Sequence, residues 1–356
     1  MAQLENYKCP ACLGPLHFSS ETGRLQCEYC GSSYSVEEIE LAQNHESPLD
    51  DWEAQQQNLQ VYSCPSCGGE LYCDQNTAAT CCPYCGNPAV IPGKLQGILK
   101  PDYVIPFLKS KEDAVKALQQ HYRKKLLLPR VFSAQNHIQE VQGLYVPFWL
   151  FDRMASGSVQ YSATRSRSYR DGDYQVTETD HYQVFRDGSL DFLMVPIDGS
   201  QKLPDDLMDS LSPYDYKALT EFSPAYLPGY LADKYDVDAD TASQRAEERC
   251  LNTLSDALQN TVQGYSSVNA TSSDLQIDGG SHHYALLPVW LLTTRWQGKT
   301  YLFAMNGQTG KLVGNLPIDP NRKRALFYGS FVTVSLLLSL LFAGPLGRML
   351  FRLFGL

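Results

Sequence analysis

The chain has 356 residues, 43% apolar and 19% charged, enough for one sizeable core with smaller appendages and too apolar for a disordered or collagen-like polymer. Its net charge of -10 is local: residues 1–93 hold two basic side chains, Lys8 and Arg24, against twelve acidic ones, and the rest of the chain is balanced. An acidic segment cannot gain the counterion release that dominates binding to a polyanion, so nucleic acid is not an expected partner of the amino-terminal third.

The first ten residues, MAQLENYKCP, are polar where a secretory leader needs an apolar stretch, so the chain is expected to start in a reducing cytosol. Eight of the eleven cysteines fall into four CxxC pairs. Cys9-x2-Cys12-x14-Cys27-x2-Cys30 recurs 55 residues later as Cys64-x2-Cys67-x14-Cys82-x2-Cys85, and Tyr7, Pro10, Gly14, Leu16 and Gly31 recur with it as Tyr62, Pro65, Gly69, Leu71 and Gly86. Two such pairs place four thiolates around one ion, the shell Zn²⁺ accepts without redox chemistry. Two structural zinc ions per chain are expected, each with a closed shell and no coordination position left for a substrate. A ribbon of about 30 residues buries too little apolar surface to fold alone, and metal binding worth roughly 10–16 kcal/mol supplies the difference. Iron fits the same ligands.

The competing reading is thiol redox chemistry, centred on Cys81, Cys82 and Cys85 in CCPYCGNP. A redox CxxC opens a helix in a βαβ setting, and this one is followed by Gly86, Asn87 and Pro88. Cys73, Cys81 and Cys250 have no partner in the repeat and read as core or incidental thiols. In CPAC with CEYCG, and CPSCG with CPYCG, the first quarter of the chain resembles the TFIIB-type zinc ribbons. That resemblance implies binding of nucleic acid or protein, and the scarcity of Lys and Arg favours protein.

Domain boundaries follow from composition: ribbon 1 over 1–34, an acidic linker with two short helical turns over 35–61, and ribbon 2 over 62–93. A central domain spans 100–316. In it Ser110 and Asp113 form a capping box ahead of Val115, Leu118, Tyr122 and Leu126, ended by Pro129. A second helix starts near Thr241, with Ala246, Cys250, Leu254 and Leu258 on one stripe. Strands are expected at 157–163, 174–184 and 190–195, turning at Asp171-Gly172 and Asp187-Gly188. More follow at 286–295, 300–305 and 311–314, turning at Gln297-Gly298 and Asn306-Gly307. The fold class is therefore α+β, an antiparallel sheet with covering helices beside the two ribbons. Val146-Pro147-Phe148-Trp149-Leu150 echoes Leu287-Pro288-Val289-Trp290-Leu291, which makes the domain two related halves packed through their aromatics.

No catalytic constellation is expected, and the chain is read as a non-enzyme without an evident small-molecule substrate. Gly298-Lys299-Thr300 lacks the first glycine of a P-loop, and neighbouring His282 and His283 point to opposite faces of a strand. Asp236, Asp238, Asp240 and Glu247 follow an EF-hand count, but Thr241 stands where glycine is required, and the acids read as a helix cap.

Residues 325–347 are uncharged and long enough for a transmembrane helix, behind a basic juxtamembrane segment at 317–324 with Arg322, Lys323 and Arg324. An amphipathic tail covers 348–356. The expected topology is single-pass in the bacterial inner membrane, with a cytosolic amino terminus and the bilayer contacted through 325–347.

Twin CPxCG ribbons, the strand at 145–152, NGQTGKLVG at 306–314 and the terminal apolar segment together resemble the bacterial TFIIB-type zinc-ribbon membrane proteins, some labelled replication-restart helicases. That resemblance implies flotillin-like (SPFH) and phage-shock-type partners. The function expected is a membrane-anchored adaptor that recruits proteins in the envelope-stress response. A membrane-tethered nucleic-acid-binding regulator and a thiol redox enzyme are the alternatives.

Overall fold

A computed structural model describes residues 2–3, 7–42, 59–63, 70–74, 77–81, 88–91, 100–123, 125, 127–129, 132 and 138–343. Strand β1 (Ala2–Gln3) precedes a small antiparallel sheet of β2 (Leu16–Ser19), β3 (Arg24–Cys27) and β4 (Ser33–Tyr34), closed by helix α1 (Val36–Ala42). A second set follows: hairpin β5 (Leu59–Ser63) and β6 (Glu70–Asp74), then β7 (Thr77–Cys81) and β8 (Pro88–Val90). Its register repeats the first at a shift of 55: Leu25–Tyr34 and Gln26–Ser33 recur as Thr80–Ala89 and Cys81–Pro88, and the Lys8–Pro15 bridge recurs as Ser63–Glu70.

The large sheet begins with β9 (Tyr103–Val104), followed by helix α2 (Lys111–Arg123), β10 (Ile138–Asp171) and β11 (Tyr174–Asp198). A short helix α3 (Asp205–Asp209), β12 (Thr220–Glu221) and β13 (Leu231–Asp233) lead to the long helix α4 (Ala239–Asn260). The chain then runs through β14 (Ser267–Asp278), β15 (His282–Trp296), β16 (Lys299–Asn306) and β17 (Leu312–Gly314) to helix α5 (Pro320–Ala343). Among the described residues the main path of this sheet runs β12-β9-β15-β10-β13-β7-β8, so β7 and β8 extend it at one end.

Two parts of the expected fold class are corrected. The described chain is mostly sheet, and the sheet is mixed, because β13 joins β10 and β9 joins β15 in parallel. Among the described residues no helix is long and apolar enough to cross a membrane, which overturns both the transmembrane helix over 325–347 and the single-pass inner-membrane localisation. Helix α5 begins at Pro320, so Arg322, Lys323 and Arg324 lie inside it and not in a separate segment ahead of it. Residues 344–356, with the expected amphipathic tail, lie outside the described residues.

The helix starts follow their caps. Ser110 Oγ accepts from the Asp113 amide at 3.3 Å while Asp113 accepts from the Ser110 amide, and Asp238 accepts from the Thr241 amide at 2.8 Å. The acids at 236–240 are thus a helix entrance. The turn expected at Asp171-Gly172 is a two-residue hairpin loop one position later, Gly172-Asp173, and Gln297-Gly298 is a two-residue loop as expected. Asp187-Gly188 instead lies inside β11, paired with Ser158 and Gly157. A Cβ on Gly188 would sit 3.3 Å from Leu258 of α4, so that glycine admits the helix rather than a turn.

The sequence echo is a structural duplication. The two repeats lie on adjacent antiparallel strands and meet at Val146 opposite Leu287, with Tyr145 facing Pro288 and Pro147 facing Leu286, so that Val146–Leu150 pairs with His283–Leu287 and Leu287–Leu291 with Gln142–Val146. Around this pseudo-twofold each half repeats the same parts. The pair Leu144–Leu231 corresponds to Ala285–Tyr103, and Phe148–Asp198 to Val289–Asn306. Gly199 N–H donates to Pro147 O and Gly307 N–H to Pro288 O, both at 2.8 Å. The Gly199 carbonyl accepts from Asp236 and Val237, that of Gly307 from Leu108 and Lys109. Finally, Trp149 Nε1 donates to Val237 O at 2.9 Å, just before α4, and Trp290 Nε1 donates to Lys109 O at 2.8 Å, just before α2. Each tryptophan latches the entrance of a helix.

Both faces of the paired strands are covered, which is why VPFWLF is an unbroken apolar run. Tyr145, Trp149 and Phe151 enter one core cluster; Val146, Phe148 and Leu150 enter another, with Met208 and Leu211. Helix α4 lays Cys250, Leu254 and Leu258 on Val159, Tyr161 and Val184 of the long hairpin, forming a third cluster.

If the indole bonds are latches, Trp149→Phe and Trp290→Phe should each lower stability by about 1–2 kcal/mol, since each leaves a backbone carbonyl unpaired. Urea midpoints of the two variants check this, and an unchanged midpoint in both contradicts the latch.

Candidate metal centre

The four cysteines of the first ribbon sit on two knuckles with one backbone pattern. Cys9 N–H donates to Gly14 O at 2.7 Å and Leu13 N–H returns to Cys9 O at 2.8 Å; Cys27 donates to Ser32 O and Gly31 returns to Cys27 O, both at 2.9 Å. The residue after the second cysteine is left-handed in each knuckle, Leu13 at φ 61 and Gly31 at φ 73. Glycine takes that conformation freely, whereas Leu13 holds it against its own Cβ.

Sγ of Cys9 lies 3.6 Å from that of Cys30, and Sγ of Cys12 3.4 Å from that of Cys27; all four sulfurs lie within 4.8 Å of one another. A tetrahedral ion with bonds of about 2.3 Å sets sulfurs about 3.8 Å apart, so the donor set fits Zn²⁺. Cys9 and Cys27 are buried while Cys12 and Cys30 are exposed, which puts the site at the outer end of the ribbon.

The protonation pattern calls for a cation. Hydrogen bonds with Ser32, whose hydroxyl is 3.2 Å away, bring the Cys30 thiol down to about 6. Burial alone would raise Cys9, but the Tyr34 hydroxyl and the Cys12 and Ala11 amides carry it below the usual thiol value. Cys12 goes the other way: the Gly14 amide lowers it, yet its bonds with Cys27 and Cys30 push it up to about 12. Four thiolates this close repel without an ion between them, and a divalent cation removes that repulsion. With four sulfurs in place the shell is closed, so the site holds structure.

Little of the ribbon stands free. Phe18 N–H donates to Pro228 O at 2.8 Å, and the Phe18 ring meets Tyr226 edge-on at 5.3 Å. Leu16, Phe18 and Leu25, with Val36 and Ile39 of α1, belong to the same core cluster as Phe222, Leu227 and Tyr230 of the sheet domain. Helix α1 is fixed by a capping box, Ser35 with Glu38, and by Arg24, 3.0 Å from Glu38. This docking was not foreseen. Its signal is the pair of apolar residues Leu16 and Phe18, more than a ribbon needs to close on itself.

The other sequence candidates are placed as follows. Cys64, Cys67, Cys82 and Cys85 lie outside the described residues, as do the side chains of Cys73 and Cys81. Cys250 is a buried core thiol on α4. His282 packs against Trp149 and Phe151 while His283 meets Tyr103, on opposite faces of β15. Gly298 lies in the β15–β16 hairpin loop and Lys299 and Thr300 open β16, so a strand and not a helix follows the glycine.

Residues 8–38 match a family model described as Trm112p-like protein. With the four cysteines brought together, this identifies the amino-terminal unit as a Trm112p-like zinc-binding domain. The uncharacterized protein YdjG of Bacillus subtilis (strain 168) is 38% identical over 324 residues, 91% of this chain and 93% of the relative. No solved structure matches the chain.

Replacing Cys9 or Cys27 with Ser should lower bound zinc by about one ion per chain, measured by elemental analysis on purified protein. Unchanged zinc in both variants would remove the metal from this site.

Proposed function

The chain belongs to the family of Bacillus subtilis YdjG, and we propose that it is a zinc-ribbon adaptor, a protein that binds other proteins rather than an enzyme. One observation carries this reading. Leu13 and Tyr29, 73% and 74% exposed, are the chain neighbours of Cys12 and Cys30, the two exposed cysteines of the metal centre. Leu13 keeps its left-handed backbone where Gly31, and Gly68 in the second CxxC set, occupy the corresponding positions. An apolar side chain held out to water on strained backbone is a feature that folding alone does not favour. The knuckle tip is then a contact surface, and zinc sets its shape.

The reading includes a second zinc, on Cys64, Cys67, Cys82 and Cys85, in a second ribbon of the TFIIB-type pattern. Its support is the strand register of β5–β8, in which three pairs of the first ribbon, Lys8–Pro15, Leu25–Tyr34 and Gln26–Ser33, recur 55 residues on. The acidic balance of residues 1–93 favours a partner with a basic or apolar face over nucleic acid. Flotillin-like and phage-shock-type proteins, the partners implied by resemblance, are the first to test.

Leu13→Ser with Tyr29→Ser should leave zinc content and thermal unfolding unchanged while reducing capture of native partners at least tenfold. Affinity purification from the source cells with quantitative mass spectrometry reads this directly. An identical partner set from both proteins would contradict the proposal.

A further inference from the structure

The two halves of the sheet domain part company in one region, and a cavity of about 530 Å³ opens there, within the range of small-molecule sites. Phe192, Pro196, Tyr216, Asp209, Arg249 and Cys250 are among its lining residues. Its origin is visible in the duplication. Ala114, Leu118 and Tyr122 on α2 correspond to Ala242, Ala246 and Cys250 on α4. Tyr122 fills its half, edge-on to Phe132 at 5.3 Å and Phe303 at 6.1 Å. Cys250 leaves that volume open.

The adjoining strand differs too. Between the pairs Phe151–Val195 and Arg153–Phe192, β11 carries an extra residue, whereas β15 and β16 stay in register through Leu292–Phe303 and Thr293–Leu302. In this bulge Met194 takes φ 55, and Asp152 Oδ1 accepts from its amide at 2.9 Å. Bulges and left-handed non-glycine residues store strain, and both gather at binding sites.

Charge also enters in this half. Arg245, Arg249 and Asp198 stand where the other half has Ala117, His121 and Asn306. Arg249 donates to Pro196 O at 2.9 Å and pairs with Asp209 at 2.6 Å. Arg245 pairs with Asp198 at 3.0 Å, Asp205 at 3.2 Å and Asp209 at 3.5 Å. Three carboxylates face two guanidiniums, a surplus of one negative charge. Both guanidiniums are engaged, while Asp209 Oδ1 and Asp198 Oδ2 are buried without a hydrogen-bond partner. The set lacks a donor with a positive charge. Burial pushes Asp198 up to about 6 against the pull of Arg245, so the surplus is complete above that pH.

We propose that this cavity binds a small organic cation, a primary amine on an apolar body, with the ammonium at Asp209 and the body between Phe192, Pro196 and Tyr216. The ammonium pairs with the Asp209 carboxylate at the cavity wall and offsets the surplus charge, and the apolar walls hold the rest.

Isothermal titration calorimetry of the full zinc-loaded chain at pH 8 with phenethylamine, phenethyl alcohol and 3-phenylpropionate tests this. The amine should bind at least tenfold more tightly than the alcohol, and the carboxylate should not bind. Asp209→Asn should abolish the preference for the amine over the alcohol. Cys250→Tyr, which restores the ring of the other half, and Thr253→Trp at the exposed mouth should each remove amine binding while unfolding stays cooperative. Equal affinity for amine and alcohol, tighter binding of the carboxylate, no heat up to 10 mM amine, or amine binding that survives both cavity-filling variants would each overturn it.

Discussion

The antiparallel pairing of β10 with β15, centred on Val146 opposite Leu287, is the constraint on which the rest of the molecule depends. It aligns two copies of one unit, strand, helix and hairpin, about a local twofold. It places each tryptophan over the loop that starts the other half's helix. The two indole bonds are modest singly, but they fix where α2 and α4 begin, and the caps at Ser110 and Asp238 then start helices whose apolar stripes already face the sheet. With both strand faces covered, a slip of register would exchange two differently shaped cores at once.

The zinc-binding unit is fastened to this frame. A ribbon of about 30 residues has too little core to stand alone, and here two stabilising terms meet: four sulfurs around one ion at the outer end, and Leu16, Phe18 and Ile39 against Tyr226, Leu227 and Tyr230 at the inner end. Cys12 and Cys30 at the outer end are exposed. The strands of the second CxxC set are tied in differently, Ala79 and Thr77 of β7 pairing with Ala232 and Asp233 of β13. The first ribbon and strands β7 and β8 are therefore each held against the large sheet.

The sequence was most legible where chemistry is local. The spacing of Cys9, Cys12, Cys27 and Cys30, the Ser110–Asp113 box, the α4 stripe and the Gln297-Gly298 turn each depend on a few neighbouring residues, and the structure holds each as the sequence implies. The VPFWL–LPVWL echo gave the duplication because both copies keep the latch tryptophan. Long-range pairing was less legible. Asp187-Gly188 has the composition of a turn, yet β10 offers it a partner strand and α4 needs its missing Cβ. The apolar run after Arg324 has the composition of a membrane span, but the helix that contains it starts earlier and takes the basic residues in. Ribbon docking depends on surface shape 200 residues away, which spacing does not encode.

The metal-bound ribbon and the duplicated sheet are separately built and joined at the 222–230 face. Hydrogen exchange by mass spectrometry, with and without zinc chelation, distinguishes the two units. Chelation should strip protection from residues 16–39 and from 222–230 while β10 and β15 remain protected. Loss of protection across β10 and β15, or an unchanged 222–230 segment when the ribbon opens, would contradict this arrangement.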